Sequence, residues 1–269
     1  MNAPQKAGPA EFRLRGLQTT RIETLTDAAF AFAFTLLVIG QGKIPASYAE
    51  LQQALLHIPA FAVSVALLGT FWFRHHIWSR RTGLDDSVSV ALSFSLVLLV
   101  LIYVYPLKAV FSSMFHWLSG NWLPSGISLA SERELAGLFV VYSLGYLGMM
   151  LCIVLLNRHA LKARLPLPLN PYERTVLGNE IRLGLVLSVV ALISVLIGLF
   201  AEGAWILLGG FIYAVLGILV PLTVRLNNRG LKLLLAAQQA NIEALTEPEP
   251  QPEFSPTAAE AELAPAKSL

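Results

Sequence analysis

Charge is what this sequence has least of. Only 13% of its 269 residues are Asp, Glu, Lys or Arg, against 55% hydrophobic, and the mean hydropathy is +0.64. A water-soluble domain carries about 25% charged residues, so a soluble globular fold is excluded. Cysteine is almost missing too. The single Cys152 lies inside an apolar run, which excludes an intrachain disulfide and leaves no thiolate metal cluster to read. The sequence also lacks a nucleotide-binding fingerprint and a nucleophile spaced with a base, so no enzymatic chemistry is expected.

What the chain has in quantity is uncharged sequence. The runs 51–73, 87–107, 135–157, 183–201 and 203–224 contain no Asp, Glu, Lys or Arg. Each holds roughly the 20 residues a helix needs to cross hydrocarbon, whereas barrel strands would be about 10 residues with alternating polarity. A sixth, shorter run at 28–42 reaches spanning length if its helix continues backward through Asp27, Glu23 and Arg21. About 20 polar residues precede that run and no small-residue cleavage site follows it, which argues against a secretory signal. The expectation is an all-α membrane protein with six transmembrane helices, at roughly 18–40, 51–74, 87–112, 134–157, 181–201 and 203–225.

Basic residues orient such a bundle, because cytoplasmic loops carry the excess of Lys and Arg. Sixteen lie on one side, including Arg13, Arg15, Arg80, Arg81, Arg158 and Arg229; only Lys43, Lys108 and Arg133 lie on the other. Both termini are therefore expected in the cytoplasm of a multi-pass protein of the cell (inner) membrane. Residues 1–17 form a cytoplasmic N-terminal segment and 18–230 the six-helix domain. Residues 231–269 form a cytoplasmic tail, rich in Pro, Glu and Ala toward its end and too polar there to order itself. The 113–133 loop, with His116, Trp117, Trp122 and Pro124, faces outside, its tryptophans at headgroup level. The expected partners are the lipid bilayer and copies of the chain itself, with no nucleic acid.

An ionisable side chain in lipid is costly, about 2.5–3.5 kcal/mol at a helix centre, so its position is informative. Helix 1 carries Arg21, Glu23 and Asp27, and helix 2 ends in FWFRHHIWSRR, with Trp72, Arg74, His75 and His76. The charge-derived topology puts both clusters at one depth. Long arginines there snorkel to water. Asp27 is too short to do so, and a polar lock pairing it with a histidine or arginine of helix 2 is expected. His75 and His76 are neighbours pointing about 100° apart, so they do not converge on one ion and no metal site is expected.

In its apolar part, helix 1 reads AAFAFAF, with Ala29 and Ala33 four apart, a small-residue spacing that favours close helix packing. Phe32, Thr35, Leu36 and Ile39 share a stripe about 100° wide. Periodicity alone favours a core stripe whose threonine bonds back to its own helix; the charged cluster on the same helix argues instead for a pore lining.

The stretch RIETLTDAAFAFAFTLLVI resembles the first-helix signature of bacterial members of the transmembrane protein 175 potassium channel family, R-x-x-x-F-S-D followed by an apolar run with T-L-L-V. Arg21, Asp27 and Thr35 match it, and Leu25-Thr26 stand in place of Phe-Ser. WFRHH at 72–76 is similar to the family's W-x-x-H-H pattern in helix 2. The resemblance implies a potassium channel whose helix 1 lines a central pore. It implies an apolar constriction at Phe32, Leu36 and Ile39, with Phe32 in place of the usual aliphatic residue, and a hydroxyl layer at Thr35. It implies further an inter-helix polar network of Arg21, Asp27, Trp72, His75 and His76. One copy of the signature per chain implies a homotetramer, with potassium as the permeant ion and no cofactor.

An apolar ring gates by dewetting, and hydroxyls select less sharply than a carbonyl filter, so a leak-type, moderately selective conductance is expected. The alternatives are a proton-coupled secondary transporter or proton-permeable channel using Asp27 and the histidines, and a non-transporting scaffold.

Overall fold

The computed structural model describes residues 12–39, 45–163 and 167–246, leaving out the side chains of 39 and 241–246. Among the described residues all regular structure is helical. The order is α1 (Arg21–Ile39), a short α2 (Tyr48–Leu55), α3 (Ile58–Thr82), α4 (Ser87–Leu118), α5 (Glu132–Lys162) and α6 (Pro171–Phe200). Tight 3-10 turns at Gly203–Leu207 and Ile212–Val215 then flank α7 (Leu208–Phe211), and α8 (Leu216–Thr246) follows. Five stretches are long and apolar enough to cross a membrane: α3, α4, α5, α6 and the composite 203–240. At 1.5 Å per residue, the 19 residues of α1 reach about 28 Å, close to the hydrocarbon thickness of about 30 Å.

The helices extend past the apolar runs that mark them. Helix α6 begins at Pro171 rather than near 181, because Asn170 and Glu173 form a reciprocal capping box and Pro171 takes a first-turn position that needs no N–H. Helix α3 continues to Thr82 and ends on Gly83, whose φ of 62° supplies the left-handed cap. The single helix expected over 51–74 is interrupted. Pro59 has no N–H to give the Leu55 carbonyl, and α2 stops there before α3 starts. Helix α8 continues through 231–246, past the boundary drawn at 230, while 247–269 and 1–11 lie outside the described residues.

Helices α4, α5 and α6 pack side by side, α1 lies against α4 and α3, and α8 lies against α6. The core holds Phe71, Leu96, Tyr103, Met149, Ile153 and Leu156, all fully buried. Between lipid-facing helices the gain comes from close van der Waals contact, so small residues sit where helices meet. Any side chain at Gly145 would collide with the Tyr103 ring, and one at Gly184 with Val154.

The chain before α1 is tied down. Both Arg15 Nη atoms donate to the buried Glu173 carboxylate (2.9 and 2.8 Å), and Arg13 N adds a third bond at 3.0 Å. Arg15 N and Gly16 N both donate to Arg80 O at 3.1 Å. This fixes the start of α1 beside the end of α3 and the beginning of α6.

Candidate pore helix and its polar lock

Helix α1 has two opposed faces. Thr26, Phe30, Ala33 and Leu37 are buried, with Ala29 at the margin, and the alanines bring the helix close to its neighbours. On the opposite side Leu25, Ala28, Ala31, Phe32, Thr35 and Val38 are exposed in the single chain, Phe32 by 56%. Of the stripe read from the sequence, Phe32 and Thr35 therefore lie on the open face. Leu36 is half-buried against the core, and the Ile39 side chain lies outside the described residues. The exposed arc is centred about 40° from the expected one, bringing in Ala28, Ala31 and Val38. Thr35 Oγ1 donates its hydrogen to Ala31 O at 3.0 Å. That bond fixes the hydroxyl and leaves its oxygen lone pairs unused.

The polar cluster assembles on the other side of the helix. Trp72 Nε1–H donates to Asp27 Oδ1 at 2.8 Å, a charge-assisted bond. Asp27 thus takes an indole as its partner, rather than the histidine or arginine expected from depth alone. The two histidines diverge as their 100° separation requires. His75, buried, shares a hydrogen bond with the buried Ser93 Oγ of α4 at 2.9 Å. His76 Nδ1 lies 3.6 Å from Glu23 Oε1 and its ring stacks on Trp72, with centroids 5.6 Å apart. Arg21 is exposed and has no partner among the described residues. The structure therefore brings together Asp27, Trp72, His75 and His76 at the α1–α3–α4 junction and leaves Arg21 outside.

Two members were absent from the expected network. Glu23, only 4% exposed, is one turn before Asp27 on the same flank, so its spacing was the available signal. Ser93 had no such signal in a serine-containing apolar helix. Further out, Arg74 and Arg81 of α3 both reach Glu180 of α6, at 3.2 and 3.6 Å. Among the described residues no three His, Cys, Asp or Glu side chains come together as metal ligands do.

The model of the endosomal/lysosomal potassium channel TMEM175 family matches residues 21–106, which cover α1, the lock and most of α4. A protein of Marivirga tractuosa described as a potassium channel is 35% identical over 210 residues, 75% of this chain and 85% of its own. Among solved structures, a threonine-to-alanine variant of the potassium channel MtTMEM175, crystallised with a nanobody–MBP fusion protein, superposes with a TM-score of 0.71. It is 32% identical and the match covers 84% of this chain and 99% of that one. The relatives are channels, which disfavours the carrier alternative. On the identity and coverage of these matches, the chain belongs to the TMEM175 family of potassium channels, multi-pass membrane proteins.

Proposed function

We propose that this chain forms a homotetrameric, moderately selective, leak-type potassium channel of the cell (inner) membrane. Its termini are cytoplasmic, and α1 provides a sixth crossing that lines the central axis. The observation that carries this reading is the open face of α1, which beyond its polar first turns is an apolar stripe from Leu25 to Val38 with one hydroxyl, Thr35, on a helix whose other face is locked to α3 and α4. Four copies around an axis turn that stripe into a pore wall. Phe32, with Leu36 about one turn and Ile39 about two turns further along the helix, supplies the hydrocarbon constriction that expels water and holds the pathway closed. One turn away, four Thr35 oxygens with free lone pairs replace part of the ion's hydration shell. Few oxygens and no carbonyl ladder mean a modest preference for potassium over sodium. Among the described residues no helix carries arginines in a regular repeat along its length, so steep voltage dependence is not part of the mechanism.

The test is conduction by purified protein in planar bilayers under a potassium gradient. A reversal potential near the potassium value, with current linear in voltage, is the expected result. Electroneutral saturable flux would replace this reading with a carrier, and silence from intact tetramers would replace it with a scaffold.

A further inference from the structure

A cavity of about 830 Å³ lies between α4, α5 and α7, at the end of the bundle opposite the Arg15–Glu173 tie, and α1 contributes nothing to it. Its volume is within the roughly 300–1,000 Å³ of pockets that bury a ligand. The deep walls are apolar, formed by Val110, Phe111, Leu138 and Phe139. The rim carries exposed Met114, Trp117, Leu118 and Phe211, with Trp117 edge-on to Phe211 at 5.8 Å. The mouth thus opens onto surface that is itself apolar and aromatic. From Leu118 back to Val110 is eight residues of α4, about 12 Å of depth.

The cavity is held open by its own frame. The loop 119–131 is pinned to α4 by side chains and backbone: Gly126 N donates to Ser112 Oγ at 3.0 Å, His116 Nδ1 bonds Leu123 O at 2.6 Å, and Asn121 N donates to His116 O at 2.9 Å. The far wall is fixed by a hydroxyl relay, in which Tyr213 donates to Ser143 (2.9 Å), Ser143 meets Ser194 (2.7 Å) and Ser194 donates to Gly209 O (2.7 Å). Because a carbonyl only accepts, His116 must carry its hydrogen on Nδ1, and a neutral ring leaves Nε2 as an acceptor. Ser113, also in the lining, has a buried Oγ with no partner. One end of the cavity therefore offers a hydroxyl donor and an imidazole acceptor; Ser125, Ser128, Tyr142 and Tyr213 add polar atoms to the lining, and most of the remaining wall is hydrocarbon.

We infer that this cavity takes one acyl chain of a membrane phospholipid, with the ester linkage at the Ser113–His116 end. Water alone does not fill it well, since a buried water needs two to four polar partners and most of the wall is hydrocarbon. Lipid suits both ends. The rim tryptophan marks headgroup level, where an ester carbonyl accepts from the Ser113 hydroxyl while the chain runs inward past Leu138 to Phe139.

The full chain in vesicles of phosphatidylethanolamine and phosphatidylglycerol, doped with a phospholipid bearing a diazirine on its acyl chain, tests this. After photolysis, adducts should concentrate in peptides 110–118 and 135–142, several-fold above the exposed α6 surface around Val189 and Leu196. Leu138→Trp, which fills the cavity, should lower cavity adducts at least fivefold and leave those on α6 within twofold. Ser113→Ala, which leaves the packing intact, should weaken retention by a smaller factor and serves if the tryptophan variant does not assemble. Cavity labelling no denser than on α6 would mean annular lipid only. Absence of labelling in intact tetramers would mean that a neighbouring subunit fills the space. Either result, or adducts indifferent to both substitutions, overturns the assignment.

Discussion

The two faces of α1 differ in what their residues are bonded to. On the locked flank Asp27 accepts from the Trp72 indole and Glu23 faces His76 at 3.6 Å, so the polar side chains are turned toward a neighbouring helix. On the open face Thr35 is bonded only to its own backbone and Phe32 projects away from the chain. On the proposed reading one face is structural and the other is pore wall. The contrast assigns stability to one set of substitutions and ion preference to the other.

The largest effect is expected at Asp27. Replacing it by alanine leaves the Trp72 N–H without its carboxylate, and a hydrogen bond to a charged group contributes about 1.5–3 kcal/mol. The Asp27→Ala protein should give markedly fewer tetramers and a lower melting temperature in detergent, with an unchanged potassium-to-sodium permeability ratio in the channels that do form. Normal tetramers with altered selectivity would break the division between the faces.

Next comes Phe32. If the ring closes the pathway by excluding water, Phe32→Ala should raise single-channel current or open probability by about tenfold, equivalent to roughly 1.4 kcal/mol off the barrier. Melting should move little, because the side chain is not part of the core. A stability loss as large as that of Asp27→Ala, with conduction unchanged, would place Phe32 in a subunit interface instead. Thr35→Ala is expected to be milder. It removes an oxygen layer and keeps the wall, so conduction should persist while the permeability ratio falls about fivefold, near 1 kcal/mol. An unchanged ratio would leave the open face purely apolar in function.

How much of this was legible in the sequence varies by feature, for physical reasons. Uncharged runs located five of the crossing helices, because hydrocarbon excludes charge regardless of packing. Depth alone brought Asp27 and the end of helix 2 to one level, since the distribution of basic residues sets the same level for both, but it pointed to a histidine or arginine as the partner and not to Trp72. What charge avoidance hides is helix beyond the hydrocarbon. Arg174, Glu180 and Arg182 lie within α6, whose start was written in the Asn170–Pro171–Glu173 cap and not in hydropathy. Register was legible only to within about half a residue step, because a 100° stripe tolerates such rotation; Leu36 sits at that margin, half-buried against the core. The cavity left no sequence signature, since it is a property of how α4, α5 and α7 meet.

The smallest effect should come from the second carboxylate–histidine pair, which calibrates the buried one. Asp86 precedes α4, accepts from Ser89 Oγ at 2.6 Å and lies 2.8 Å from His159 Nε2, but it is largely open to water. What burial there is works against its charge, and the Ser89 hydrogen bond together with His159 outweighs this, so the carboxyl titrates below its ordinary value of 3.8. A depressed carboxyl stabilises the fold fully above its unfolded value and loses that contribution as pH falls through the folded one. Asp86→Asn should therefore melt slightly below the native chain from neutral pH down to about 3.8, by no more than about 1 kcal/mol for an exposed pair, and the gap should close in more acid solution. A deficit at pH 7 matching that of Asp27→Ala would mean that solvent exposure does not separate the two kinds of carboxylate. Burial on α1 would then cease to explain why its polar flank acts as a lock.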